Sequence, residues 1–370
     1  MNSFLLFQAN SCAEDGVVLV KKYEIGIEKT ALETLGEFGL IDKLTSQLYR
    51  KTSGIVLGVG DDTAAILPTR GQLMLVTCDS QIEDIHFKFD WSSPFDVGRR
   101  AAAVNLSDIA AMGGKPRFAL VSLAVPKHLE LSTLTEIYRG LDNMFSERRV
   151  SIIGGNTAAT VGPLVVDITL LGEAKTDRLL TRDGARIGDV VCVTGTLGNA
   201  RAGLAVLSSP NVSWAGIECD SVLGAYRCPT PRGAVGKILG EFGHVSACMD
   251  ISDGLAGDAG HLARRSEVCI RIDLMRLPIS DTVRQIASNL GESVEIFALR
   301  GGEDFELLFT LPKEELPALS AQVAEKTGVS VSVVGEVVSG SGVELTFQGQ
   351  DIATDDGGFD HFRQKNIVVT

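Results

Sequence analysis

Read from the N-terminus, apolar and polar positions first fall into a regular pattern near Leu35. The spacing predicts a short helix over Glu37 to Leu48, then an apolar run from Ile55 to Leu57 and the loop Gly58-Val59-Gly60-Asp61-Asp62. Short β-type runs from Ala64 to Leu67 and from Leu73 to Thr77 follow, broken by polar and glycine positions, and such runs predict paired strands. Ser93-Pro94 opens a helix, with serine as cap and proline in the first turn; it runs through Ala101 to Met112 until Gly113-Gly114 ends it. A strand (Phe118 to Val125), a helix (Ser132 to Arg148), the run Ile152-Ile153 leading into Gly154-Gly155-Asn156, and a strand (Leu164 to Leu171) complete the first part. Strands with two interposed helices predict an α+β sandwich layer.

The polar, glycine-containing stretch Ala174 to Gly188 is placed as the boundary between two domains, 34–175 and 176–370. Residues 1–33 carry no motif and are read as an N-terminal extension, disordered or upstream of the true start. The second part opens on a strand, Val190 to Thr194, followed by loop and helix over Gly195 to Leu207. Strand Val245 to Ile251 and helix Ser252 to Arg265 come next, then strand Ile270 to Leu274 and helix Ser280 to Leu290. No repeat of 20 to 50 residues indicates a solenoid.

Composition narrows the function. The chain has 370 residues and a formal net charge of −13, from 47 acidic against 34 basic residues. Its length fits two domains, and a surface this acidic repels nucleic-acid backbones and anionic membranes. Seven cysteines show no pair at metal-binding or redox spacing, which fits reduced thiols in the cytoplasm. There is no signal-peptide pattern and no apolar run of spanning length. The 40 glycines are in excess for the length, and their positions carry the chemistry.

Five segments join glycine or a polar turn to carboxylates: Gly58 to Asp62, Thr77 to Asp79, Asn105 to Asp108, Asp250 to Gly254, and Gly301-Gly302-Glu303-Asp304. Each is placed at a strand end, a helix start or a helix face. Glycine lets a ligand approach the backbone, and carboxylates offer oxygen to Mg²⁺, which takes one or two of them plus water and phosphate. For any one segment ordinary turn and capping chemistry competes with this reading; five together favour metal-bridged phosphate binding. Asp108 is the most informative, because it lies in an otherwise small and apolar helix and shares a face with Asn105. Asp250, Ser252 and Asp253 read as a strand end and helix cap whose amides suit a phosphate. No P-loop, dinucleotide fingerprint, protein-kinase signature or nucleophile elbow is present.

In these residues the chain resembles the thiamine-monophosphate kinases, of the superfamily of aminoimidazole ribonucleotide synthetase. The matching segments, in order, are GEFGLI (36–41), GVGDD (58–62), Thr77-Cys78-Asp79 with His86-Phe87, AVNLSDIAAMG (103–113), SIIGGN (151–156), LTR (180–182), GDVVCVTG (188–195), DISDGL (250–255), GGEDFELLFT (301–310) and GFDHF (358–362). The resemblance implies a two-domain α+β fold of the aminoimidazole ribonucleotide synthetase type, an N-terminal ATP- and Mg-binding α/β sandwich whose sheet pairs across a homodimer, and a C-terminal α+β domain. It implies transfer of the γ-phosphoryl group of ATP to thiamine monophosphate, giving thiamine diphosphate and ADP. Two anions approach each other in such a reaction, so several Mg²⁺ are expected. A phosphate acceptor is already mostly ionised at neutral pH, so no general base is expected.

Carried over by motif, Asp62, Thr77, Cys78, Asp79, Asp108, Asn156, Asp250 and Asp253 hold Mg²⁺, with Asp61 a neighbour. Gly155, Asn156, Arg182 and Ser252 contact ATP, while His86, Glu303 and Phe359 meet the thiamine end, Phe359 by stacking. Phe359 as a C-terminal core plug is the competing reading. Two departures stand out: Asn156 where the family commonly has Asp, and Cys78 where Thr is frequent. An amide ligates Mg²⁺ without adding charge, so one metal binds more weakly, and Cys78 contributes at most its backbone carbonyl. Two alternatives follow: another ATP-dependent enzyme of the superfamily with a different acceptor, or a catalytically weak ATP- or thiamine-phosphate-binding protein.

Overall fold

Ten consecutive residues, Leu73–Ile82, form a single strand (β3) in the computed structural model of the chain, which describes residues 40–48, 52–59 and 63–352. The sequence pattern ends this strand at Thr77 and puts Thr77-Cys78-Asp79 at a turn; the structure corrects this and runs the strand five residues further. Polar residues are tolerated there because the helix laid over the strand is polar at matching positions. That helix, α1 (Pro94–Ala111), offers Arg100 Nε to Gln81 Oε1 at 2.9 Å, accepts Asp79 N–H on Asn105 Oδ1 at 3.1 Å, and accepts the Thr77 hydroxyl on Asp108 Oδ2.

The chain divides into two units, the first of the described residues up to Ile109 with Lys115–Thr176, the second of Ala110–Gly114 and the described residues from Asp177. In the first unit β3 pairs antiparallel with β6 (Val165–Ala174), β6 antiparallel with β4 (Lys115–Pro126), and β4 parallel with β5 (Ser151–Thr160). The parallel pair requires a crossover, supplied by α2 (Leu131–Ser146), which buries Leu134, Ile137, Tyr138, Leu141, Met144 and Phe145 at helical spacing. The two helices approach so closely at Gly98 and Gly140 that a Cβ on either would lie 2.0 Å from a backbone oxygen of the other. A two-stranded ladder, β1 (Ile55–Leu57) with β2 (Ala65–Ile66), brackets the 58–62 loop.

The base of that ladder is fastened by a buried ion pair. Arg117 on β4 and Glu173 on β6, 8% and 3% exposed, are in contact. Glu173 accepts from Thr69 N at 3.0 Å and Thr69 Oγ1 at 2.7 Å, and Arg117 Nη2 donates to Ser53 O at 2.6 Å. Burial raises the Glu173 pKa, but the Thr69 hydrogen bonds and Arg117 outweigh it and hold the carboxyl below its ordinary value.

The second unit has a seven-stranded sheet in the order β13-β12-β9-β11-β7-β10-β8, from β7 (Val190–Thr194), β8 (Ala247–Asp250), β9 (Cys269–Asp273), β10 (Leu307–Leu311), β11 (Val331–Val338), β12 (Gly342–Phe347) and β13 (Gln350–Ile352). Only the β12–β9 pair is parallel. Strands β7 and β10 and the edge strand β8 are buried on both faces. One face packs Val191, Val193, Met249 and Leu308 against Leu255 and Leu262; the other packs Cys192, Cys248 and Phe309 against Leu239, Leu319 and Val323. This double burial explains why these strands are continuously apolar. The helices are α3 (Asn199–Ser208), α4 (Asp220–Arg227), α5 (Gly233–Phe242), α6 (Leu255–Ser266), α7 (Asp281–Asn289), α8 (Val294–Leu299) and α9 (Leu316–Thr327). Among the described residues no helix is long and apolar enough to cross a membrane.

Residues 1–33, Asp61, Asp62 and Phe359 lie outside the described residues.

Candidate active site

Alternation along β3 sorts the N-terminal candidates. Thr77, Asp79 and Gln81 face α1, whereas Cys78 and Ser80 face the opposite side of the sheet. On the α1 side, Thr77, Asp79 and Asp108 are all half-buried and near one another. Asn105, fully buried, accepts from Asp79 N and donates its amide to Ala101 O at 3.1 Å. It therefore sets the register of helix on strand rather than supplying an oxygen to a ligand. Asp108, its partner on the helix face, keeps a carboxylate at the edge of solvent.

The far side carries a polar row that the spacing alone does not disclose. Ser80, Asp167, Ser122 and Asn156 stand opposite one another across four strands. Asp167 accepts from Ser80 Oγ at 2.6 Å and from the Cys78 thiol at 3.2 Å. The Cys78 side chain is thus turned away from Thr77 and Asp79 and cannot join them on one cation; its backbone carbonyl remains. Asn156, exposed, shares the Cys78 side. Gly154-Gly155-Asn156, which the sequence pattern leaves unassigned, is strand. A Cβ at Gly155 would sit 1.8 Å from Val121 O on the parallel neighbour, so the glycine serves close strand approach.

His86 follows β3 in a tight loop, where its Nδ1 accepts from Ile82 N at 3.1 Å. A ring nitrogen that accepts leaves the proton on Nε2 in the neutral ring, so the ring offers a donor suited to a phosphate or polar acceptor.

In the second unit two motifs form one structure. Glu303 N donates to Ser252 O at 2.8 Å, Phe305 N to Ile251 O at 2.9 Å, and Ile251 N to Glu306 O at 2.8 Å. The segment around Glu303 thus runs alongside the Asp250 to Asp253 turn. Ser252 and Asp253 are half-buried and Asp250 is buried. The amides of Ser252 and Asp253 both point to Asp258 Oδ2, at 3.0 and 3.1 Å, and are not offered to a phosphate as the sequence pattern implies. Burial pushes Asp258 up to about 8, and the charges of Asp250 and Asp253 push in the same direction. Arg182, exposed, has its carbonyl held by Ser266 Oγ at 3.0 Å.

Neither Asp258 nor Glu306 stands out in the sequence, and Asp304 does so only as part of its acidic segment. Asp304 accepts from Gly198 N at 2.6 Å and Ala200 N at 3.0 Å, at the start of α3. Glu306 accepts from Thr194 Oγ1 and Arg232 Nε, each at 2.6 Å. The one available signal is the density of acid in GGEDFE, which does not say which carboxylate turns inward. Burial raises Asp304 to about 7, against the backbone amides of Ala200 and Gly198 that favour its charge. A free carboxyl titrates near 3.9, so the stability Asp304 contributes is fully present below about pH 4 and lost as pH rises through about 7. Between pH 4 and 8 the melting temperature of Asp304→Asn is therefore expected to gain on that of the unaltered protein, and a constant gap would refute this.

The donors fit Mg²⁺. They are oxygens of carboxylates and one hydroxyl: Thr77, Asp79 and Asp108 in the first unit, Asp250 and Asp253 in the second. Among the described residues no three His, Cys, Asp or Glu side chains converge on a single metal position. Mg²⁺ does not require that, since it binds through one or two carboxylates and completes its shell with water and phosphate oxygens.

The sequence matches the AIR synthase related protein family in both of its parts, the N-terminal domain over residues 60–174 and the C-terminal domain over residues 186–348. It is 36% identical to the thiamine-monophosphate kinase of Bacillus subtilis (strain 168), over 89% of this chain and 100% of that protein. The crystal structure of a thiamine-monophosphate kinase from Stenotrophomonas maltophilia K279a superposes with a TM-score of 0.74 at 32% identity, covering 86% of this chain and 98% of that one. AaThiL complexed with AMPPCP and TMP superposes with a TM-score of 0.70 at 34% identity, covering 91% and 100%. Fold, motif order and full-length similarity agree, and the chain belongs to the thiamine-monophosphate kinase family.

Proposed function

We propose that this protein phosphorylates thiamine monophosphate at the expense of ATP, forming thiamine diphosphate and ADP in thiamine diphosphate biosynthesis. The observation that carries this is similarity over about nine-tenths of the chain to thiamine-monophosphate kinases, one of them solved with AMPPCP and TMP, in a chain that bears carboxylates on β3, α1 and the Asp250 turn. An oxygen of the acceptor phosphate attacks the γ-phosphorus of ATP, the bond to the β,γ-bridging oxygen breaks, and ADP leaves with that electron pair. The acceptor is already ionised at neutral pH, so the protein needs no base to remove a proton.

Its residues bind and orient. Thr77, Asp79 and Asp108 in the first unit would hold Mg²⁺, and so would Asp250 and Asp253 in the second, as would Asp62 outside the described residues. Bound there, Mg²⁺ would neutralise the phosphates and stabilise charge on the transferring group. Cys78 takes part only through its carbonyl, and Asn156 as an uncharged ligand. Gly155, Asn156, Arg182 and Ser252 contact ATP. His86 and Glu303 meet the thiamine end, and Phe359 stacks on it. The reading places the protein in the cytoplasm as a homodimer paired through the N-terminal sheet, and light scattering giving only monomer at micromolar concentration would refute the dimer. The reaction itself is tested by incubating the protein with ATP, Mg²⁺ and thiamine monophosphate. Thiamine diphosphate with stoichiometric ADP is expected; ATP consumption only with another phosphate acceptor would refute the assignment.

A further inference from the structure

Between Gly301 and Glu306 the backbone enters the left-handed region twice at residues other than glycine, with φ +67° at Glu303 and +50° at Phe305. Such conformations persist only where the surroundings over-determine them, and they gather at ligand clamps. One side of the clamp is the backbone pairing to Ser252 and Ile251 described above. The other is Asp304, the residue between the two strained ones. Its carboxylate receives the amides of Gly198 and Ala200. These belong to the first turn of α3, a ten-residue helix whose own N-cap, Gly198, supplies no side chain. The first amides of a helix have no partner within it, and a carboxylate there is favoured by hydrogen bonding and by the helix dipole. The cap therefore comes from a residue more than a hundred positions away, and it ties the Glu303 loop to the helix.

We propose that Asp304 is a positioning residue for the phosphate acceptor: by capping α3 it holds the Glu303 loop against the Ser252 turn and so fixes the group that meets the thiamine end. This rests on the kinase reading above. Glu306 does not share the role, since its bonds run to Thr194 at the end of β7 and to Arg232 at the N-cap of α5, and its loss disturbs the core. Asp304 is the chain neighbour of Glu303 and reaches Ser252 only through the backbone pairing, so its larger effect falls on the substrate that Glu303 meets.

Asp304→Asn keeps the size of the side chain but leaves a single acceptor oxygen for two amides. With the full-length protein, KM for thiamine monophosphate is expected to rise roughly tenfold, with KM for ATP within about twofold and the protein still folded by circular dichroism. Asp304→Ala should raise the acceptor KM further, and if it does not fold the asparagine variant decides alone. An unchanged acceptor KM, or a parallel rise in both KM values accompanying a fall in melting temperature, would overturn the proposal. The unaltered protein is assayed in parallel. If it forms no thiamine diphosphate, the kinase reading fails and the proposal with it; if it forms product while Asp304→Asn behaves identically, only the proposal fails.

Discussion

Asp108→Asn is expected to lower kcat by about 10²–10³-fold, the scale on which single electrostatic contributors to a transition state act. Asparagine retains an oxygen to accept the Thr77 hydroxyl, so α1 should stay seated on β3 and the melting temperature should move little. What is lost is the charge. Transfer between two polyanions depends on cations to offset repulsion in a site of low dielectric, and a neutral amide holds Mg²⁺ far less well than a carboxylate. The loss should fall mainly on kcat, with higher Mg²⁺ restoring part of it. Measurement of kcat across a Mg²⁺ titration, beside a thermal melt, checks both parts. Turnover near that of the unaltered protein would remove Asp108 from the site.

The largest effect on stability is expected at Arg117. Removing one partner of a buried ion pair leaves the other charge uncompensated, at a cost of about 3–5 kcal/mol. Arg117→Ala does this to Glu173, which is 3% exposed and, among the described residues, is left with the hydrogen bonds from Thr69. It also removes the donor that holds Ser53. At a few degrees per kcal/mol for a unit of this size, the melting temperature should fall by roughly 10 °C. The double variant Arg117→Met, Glu173→Met should recover much of the loss, because a buried pair replaced by apolar side chains of similar volume is often neutral. If Arg117→Ala unfolds at the temperature of the unaltered protein, the pair contributes no net stability. Because Glu173 titrates below its ordinary value, its contribution is present above the unfolded pKa and lost as pH falls through the folded one.

Much of the fold is legible in local pattern. The apolar run from Val190 marks a strand, and Gly113-Gly114 marks the end of α1, because burial and turn chemistry act on neighbouring residues. The reading fails where distant parts of the chain determine the local outcome. Thr77 to Ile82 looks like the end of a strand because its polar residues find their partners in Arg100, Asn105 and Asp108 only after α1 has packed on it. Gly154-Gly155 gives no local sign of a strand because the neighbour that excludes a side chain there, at Val121, is far away in sequence.

The same division runs through the candidate site. The sequence by itself determined the kinds of group present, oxygen donors set among glycines, and through their order the family and the chemistry it performs. Which way each group points was decided only by the tertiary structure. Alternation on β3 directs Thr77 and Asp79 towards Asp108 and Cys78 towards Asp167. Of the three acids in Glu303-Asp304-Phe305-Glu306, one caps a helix, one pairs with Arg232, and Glu303 is set beside the Ser252 turn. A carboxylate's role follows from the donors and solvent around it, and those come from segments that the chain brings together only by folding.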